Sequence, residues 1–436
     1  MRDLVKSGLS FTRAMPLFAT QQLAGWLSPA AGSLGQEGLF SRLYQLGQCL
    51  QGAVVQIGPT LITPELLYPS TWLDLSVEVA QRSAAATRLL AEGKGGLMLE
   101  ELRYKGQVFC LVLNVANLIG IPSEPPFPLN ALIARSYGLG FYPALWAIEG
   151  LGKEYADSFW EQGIVPHHIL SDERTSGVPL RSLTMLDAGI GLSFAQTCLK
   201  NVEPGTPAPA MNAVVAEIVR LARDNARPGY CGATYENLGL VTRTLYPDLV
   251  PAVDRTLREV APEVTGYFWH GVGRALYFLP INFLPGSDRF VFEMAAREAP
   301  DEPARLNAIA GAAWGSALVV QPNPEILAEL VIAPYGEELA RTPGFANGVA
   351  STLMMRFDIT PEAPFIRSYV QYRPSAANPR LARLWDQLVR VPAEMALDVY
   401  YPVIKQHDRL GDIFEYRDLA AFVARLQRGQ GMRGAA

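Results

Sequence analysis

Tyr267-Phe-Trp-His-Gly-Val-Gly-Arg-Ala-Leu-Tyr-Phe278 is an apolar, aromatic run with one histidine, His270, ahead of two glycines and an arginine, Arg274. The pattern recurs on both sides. Ala147-Ile-Glu-Gly-Leu-Gly152 has it with Glu149 in the histidine's place, and Leu186-Asp-Ala-Gly-Ile-Gly-Leu-Ser-Phe194 has it with Asp187 one step earlier. Tyr235-Glu-Asn-Leu-Gly239, Ile309-Ala-Gly-Ala-Ala313 and Phe345-Ala-Asn-Gly-Val-Ala350 are looser copies. Segments recurring about every 35 to 50 residues point to helical repeats. More polar stretches alternate with them, such as Asn212 to Asp224, with Val214, Val215, Ile218 and Leu221 on one side and Glu217, Arg220 and Arg223 on the other. The expected fold is all-α: a six-fold array of helical hairpins, forming an open solenoid or, as the alternative, a closed α/α toroid.

A glycine inside a helix is less stable than alanine by about 1 kcal/mol, so a repeated G-x-G needs a reason. One reason is close approach of two helix backbones. The other is space for a ligand beside the polar residue ahead of the glycines. Glu149, Asp187, Glu236 and His270 stand at those positions in apolar surroundings. A buried carboxylate must be paired, hydrogen-bonded or neutralised. If the repeats close into a ring, the four converge as a carboxylate–imidazole cluster suited to metal binding or acid/base work, the candidate catalytic set. If they do not, the residues either cap helix starts or pair within the core. Arg274, one turn after His270, is placed to neutralise Glu149 or Glu236. With Tyr142, Trp146, Trp269, Trp314 and Asn347 it makes up the candidate ligand-binding set, since dense aromatics suit an apolar pocket.

Outside the array, residues 1–121 read as an N-terminal helical region. It opens with an amphipathic helix over residues 1–27 (Phe11, Met15, Phe18, Leu23, Trp26 and Leu27) that could touch lipid or a partner. A leucine stripe (Leu39, Leu43, Leu46 and Leu50) and a helix from Leu73 to Leu90 follow. Residues 122–128, with four prolines, are a linker. The repeat domain spans 129–390, ending in an amphipathic helix from Leu381 to Val391. Residues 391–436 form a C-terminal segment with a frayed tail.

The chain has 436 residues, 49% of them hydrophobic and 18% charged, a composition that builds a globular core. A formal charge of −5 and the lack of basic clusters exclude a general attraction for nucleic acid. No signal peptide precedes the first helix, and Asn114 and Asn117 interrupt the longest apolar stretch, Val108 to Ile121. The location expected is cytoplasmic, with membrane contact only through residues 1–27. Cys49, Cys110, Cys198 and Cys231 are widely spaced and read as reduced thiols. Asp187 to Phe194 lacks the third glycine and the βαβ context of a dinucleotide turn. His167-His168 reads as an exposed loop. No metal site and no specific cofactor is indicated.

The glycine segments Phe268 to Phe278, Asp187 to Ala195 and Ala310-Gly-Ala-Ala-Trp-Gly315, taken in order, resemble a bacterial family of unknown function that recurs in enediyne natural-product gene clusters. Its members carry successive short glycine motifs beside an acidic, histidine or glutamine residue. The resemblance covers residues 130 to 350. Tyr235 to Gly239 departs from it by lacking the first glycine, and Ala310 by lacking a polar group. It implies a role beside a polyketide pathway and no particular reaction. The resulting expectation is an accessory or binding protein for an apolar small molecule or a protein partner. The alternatives are an enzyme acting on a polyketide-like substrate in a closed helical cavity and a membrane-surface scaffold.

Overall fold

The computed structural model describes residues 69–122, 127–171, 177–284 and 286–433, and among these all regular structure is helical, with no strand. The chain starts with α1 (Pro69–Ala91), α2 (Gly95–Leu113) and the short α3 (Val115–Ile119). Next come α4 (Leu129–Gly138), α5 (Phe141–Glu161), α6 (Leu183–Leu199), α7 (Ala208–Asn225) and α8 (Cys231–Leu245). They are followed by α9 (Val250–Val260), α10 (Thr265–Tyr277), α11 (Asp288–Glu298) and α12 (Glu302–Val319). The remainder is α13 (residues 324–339), α14 (Gly344–Ile359), α15 (Pro364–Gln371), α16 (residues 379–406) and α17 (Leu419–Arg433). The expected helix over residues 1–27 and the leucine stripe at 39–50 lie outside the described residues, as does Cys49.

All six glycine segments fall inside helices: α5, α6, α8, α10, α12 and α14. These pack in chain order, each on the next. In an α-helix, residues i and i+2 point about 200° apart, so the two glycines of G-x-G serve opposite neighbours. Gly189 meets Glu149 O of α5, and Gly191 meets Thr234 O of α8. Gly271 meets Glu236 O of α8, and Gly273 meets Ala308 O of α12. A β-carbon on Gly271 would stand 1.9 Å from that carbonyl oxygen, far inside contact distance. The neighbours run parallel where the register can be followed. On α12 and α14, Leu306 lies beside Gly344 and Ala310 beside Gly348, and Thr352 Oγ1 donates to Trp314 O at 3.1 Å.

A helix gripped on two sides has to be apolar all round, and every residue from Tyr267 to Tyr277 is buried. The more polar α7, α9 and α11 cover the outside, α9 against α10 and α11 against α10 and α12. The N-terminal helices belong to the same core: α2 packs on α5 and α12, and Met98, Val108 and Leu111 are buried with the glycine helices. The apolar stretch Val108 to Ile121 bends at Asn114 and ends at Gly120 (φ +64°). No helix of the described residues is long and apolar enough to cross a membrane.

The expected end of the last repeat helix at Val391 is corrected. The α16 helix runs unbroken to Gln406, past Pro392 and Pro402. Proline removes one backbone donor, and the chain absorbs that loss in π-helical turns just before each ring, Asp386–Arg390 and Ala396–Tyr400. In α13 the segment Leu327–Ile332 precedes Pro334 in the same way. The tail is helical through Arg433. The expectation of reduced cysteines is corrected at Cys110, which is disulfide-bonded, whereas Cys198 and Cys231 are free.

Gly271→Ala should lower stability by about 2 kcal/mol or more, because backbone rather than a movable side chain blocks the methyl. Gly96→Ala, with open space around its β-carbon, should be neutral or slightly stabilising. Chemical denaturation of both variants checks the contrast, and equal effects would contradict the close-approach account.

Candidate functional site

His270 and Arg274 are one turn apart on α10 and share a face. Glu236 of α8 and Glu149 of α5 project onto that face. Arg274 Nη1 donates to Glu236 Oε2 at 3.0 Å, and Nη2 donates to Glu149 Oε1. His270 Nδ1 lies 3.3 Å from Glu236 Oε1. All four side chains are at most 3% exposed. Thus three of the four candidate catalytic residues meet, and Arg274 bridges two helices that are not neighbours in the array.

The charges explain how this group survives burial. Burial would raise Glu236, but Arg274 and His270 outweigh it and hold the carboxyl below its ordinary range. For Glu149 burial wins over Arg274, and its carboxyl is raised. Burial would lower Arg274, yet the two carboxylates outweigh it and the guanidinium is held charged. One cation therefore faces two acids, and Glu149 is the one whose charge burial disfavours more than Arg274 restores it. The Arg274 guanidinium also lies 4.7 Å from the Trp314 ring centre, and the His270 ring packs edge-on to Trp314 and Phe414. His270 Nε2, Arg274 Nε and Trp314 Nε1 have no hydrogen-bond partner among the described residues.

Asp187 stands apart from this cluster. It is fully buried, neither carboxylate oxygen has a hydrogen-bond partner among the described residues, and burial pushes it well above the ordinary carboxylate range against a weaker pull from Arg227. The capping explanation for the motif residues is overturned. The segments lie within helices, and side-chain caps among the described residues come from Asp301, Asn323, Asn378 and Asp418. The candidate ligand set is scattered through the core. Tyr142 donates to Val319 O at 2.9 Å and packs on Trp146. Trp269 faces outward to α9, donating to Asp254 Oδ1 at 2.6 Å. Asn347 donates to Arg417 O at 2.6 Å, tying α14 to the C-terminal segment.

Two surface cavities open elsewhere, and none of these candidates lines them. The first, about 560 Å³, lies between the start of α4, the second half of α5 and the loop before α6. Phe127, Leu129, Tyr155, Phe159, Ile169 and Val178 wall it, and Asn130, His167 and His168 supply the polar groups. The loop is pinned to the end of α7: Asn225 Oδ1 accepts from Ile169 N, and Asn225 Nδ2 donates to Pro166 O. His167 and His168 stack with ring centres 3.8 Å apart, and His167 Nδ1 is 3.7 Å from Asp224 Oδ2. Both lie in an exposed loop, as expected, and that loop is anchored on α7. The second cavity, about 420 Å³, lies at the first turns of α8 and α10 and includes Tyr235, Tyr267, Arg409 and Asp412. Among the described residues no group of three His, Cys, Asp or Glu side chains is placed to hold a metal ion.

A second buried ion pair, Glu101 and Lys105 of α2, escaped the glycine-based reading. Its signal was available as an i, i+4 acid–base pair in an apolar helix. The chain matches no family model, no curated protein and no solved structure.

Arg274→Met should destabilise the fold by about 3–5 kcal/mol, because it strands two buried carboxyls. Glu149 and Asp187 are both raised, so their stabilising contribution is complete below the ordinary carboxylate range and is lost as pH rises through their folded values. Glu149→Gln should make thermal stability fall less between pH 5 and 8; an unaltered slope would remove Glu149 as a proton-holding group.

Proposed function

We propose that this chain is an accessory or binding protein for an apolar small molecule, which sits in the cavity between α4, α5 and the loop pinned by Asn225. One observation carries this reading: a cavity of about 560 Å³ in which the apolar side chains of Phe127, Leu129, Tyr155, Phe159, Ile169 and Val178 share the wall about equally with polar groups that include Asn130, His167 and His168. That volume suits a small ligand, and the polar groups would orient one that is apolar over part of its surface. The resemblance to the enediyne-cluster family would make the ligand a product or intermediate of bacterial polyketide metabolism. In this reading the six glycine helices and their polar partners form the closed α/α ring rather than the open solenoid, and the ring serves as the rigid frame. Support for closure comes from the end-to-start meeting of its first and last glycine helices, where Arg356 of α14 donates to the carbonyl of Phe141 at the start of α5 at 3.1 Å.

An apolar fluorescent dye tests the site. The wild type should bind it saturably, and Phe159→Asp should weaken binding by about tenfold or more with unchanged helicity, each tenfold being about 1.4 kcal/mol. Equal binding by the variant would move the ligand elsewhere. Native mass spectrometry of protein from its own host should then reveal ligand mass that leaves on denaturation.

The unpartnered Nε2 of His270 beside Glu236 favours a second reading, an enzyme that uses the buried cluster for acid/base chemistry. That reading requires a pH-dependent turnover that His270→Ala abolishes without altering the fold. Retained turnover in that variant would take His270 out of the chemistry.

A further inference from the structure

Four cations are buried among the described residues: Arg82, Lys105, Arg274 and Arg356. Three of them have a carboxylate: Glu78 for Arg82, Glu101 for Lys105, and Glu149 and Glu236 for Arg274. Arg356, in the last turn of α14 and fully buried, has none among the described residues. Its Nε donates to Gln321 Oε1 at 2.9 Å, and its Nη1 donates to Phe141 O at 3.1 Å. Its Nη2 has no hydrogen-bond partner among the described residues. Neither has Nε2 of the same Gln321, which lies just past α12 and is also fully buried.

These two nitrogens are donors that lack acceptors, since a guanidinium has only N–H groups to offer and a carboxamide nitrogen likewise. The hydrogen bond between the two side chains holds them close together, because each is one carbon removed from an atom of that bond. The surroundings are aromatic: the guanidinium carbon is 5.5 Å from the Tyr142 ring centre and 5.4 Å from that of Phe365 in α15. Ring faces offset part of a cation's charge without neutralising it. The Tyr142 hydroxyl is already engaged with Val319 O at 2.9 Å. Burial pushes the Arg356 guanidinium down to about 10, against a weaker pull from Tyr142, so it stays charged at neutral pH. An unpaired charge in a dry interior is strongly unfavourable. A small acceptor of opposite charge meets both demands at once: it takes the unfilled N–H groups and neutralises the guanidinium.

We propose that Arg356 and Gln321 bind a small monovalent anion, a halide ion or a carboxylate group, where the start of α5, the end of α12 and the end of α14 meet. Full burial of both side chains limits the ligand to a few atoms, and one cation is matched by one negative charge. The site is separate from the cavity beside α4, which neither residue lines. The same guanidinium holds the carbonyl of Phe141, and the adjoining Tyr142 holds that of Val319. An anion bound here therefore tightens the junction between the first and last glycine helices. Its binding is linked to the stability of the whole helical core.

Urea unfolding of the intact protein, with chloride exchanged for the bulky anion gluconate at constant ionic strength, tests the proposal. Above the dissociation constant, the unfolding equilibrium constant should fall about tenfold for each tenfold rise in chloride. Sodium formate in place of chloride gives a second arm. Stabilisation by chloride identifies a halide site, and stabilisation by formate alone identifies a seat for the carboxylate of a larger ligand. Arg356→Met removes the cation and should make unfolding independent of both anions. Gln321→Leu keeps the cation but removes an N–H donor, and it should raise the anion concentration needed by about tenfold. That second variant keeps the test decisive if Arg356→Met does not fold. A wild type insensitive to both anions at constant ionic strength would overturn the site. So would an anion response that either variant leaves unchanged.

Discussion

A carbonyl oxygen of one helix lies where a side chain of the next would have to stand, and this contact recurs from α5 to α14. It demands glycine at the crossing, as where Gly271 meets Glu236 O and Gly311 meets His270 O. Because the two glycines of G-x-G face opposite ways, each helix can be gripped by both neighbours at once. Helices held so closely have no free face, which is why their sequences carry apolar residues nearly all round and leave amphipathic character to α7, α9 and α11.

The same tight approach governs the polar residues. A carboxylate ahead of a glycine is drawn into the interior with its helix, where water cannot solvate it. The fold meets that cost by grouping. Arg274 answers Glu149 and Glu236 together, and His270 completes the hydrogen bonding of Glu236. Lys105 does the corresponding work for Glu101. Asp187, with no hydrogen-bonding side chain to answer it, is the limiting case, in which a neutral carboxyl is the only inexpensive form.

Much of the site's composition was legible beforehand. The spacing of His270 and Arg274 placed them on one helical face, and the apolar context of Glu149 and Glu236 required partners for them. Asp187 looked equivalent in the sequence, yet its register on α6 turns it away from the cluster. Trp269 looked like a ligand-facing aromatic, but its indole N–H is spent on Asp254 of an outer helix. A residue's rotation about its helix axis decides such matters, and a motif aligned on glycines does not specify it. Pro392 and Pro402 mislead in another way: proline ordinarily ends a helix, and the π-helical turns that let α16 continue leave no mark in local composition.

The sequence by itself pointed to an all-helical fold, which the described residues bear out, and set polar residues beside the glycines in apolar surroundings; whether those glycines served close approach or a ligand was settled by the backbone contacts of the structure. What the sequence pointed to follows from local periodicity and from the character of single side chains. Only the tertiary structure decided which acid meets which base, that α2 joins the same core, and that none of the candidate site residues lines the two cavities described. Those outcomes depend on groups brought together from separate helices, 38 positions apart for Arg274 and Glu236 and 125 for Arg274 and Glu149, and they are set by how the helices cross.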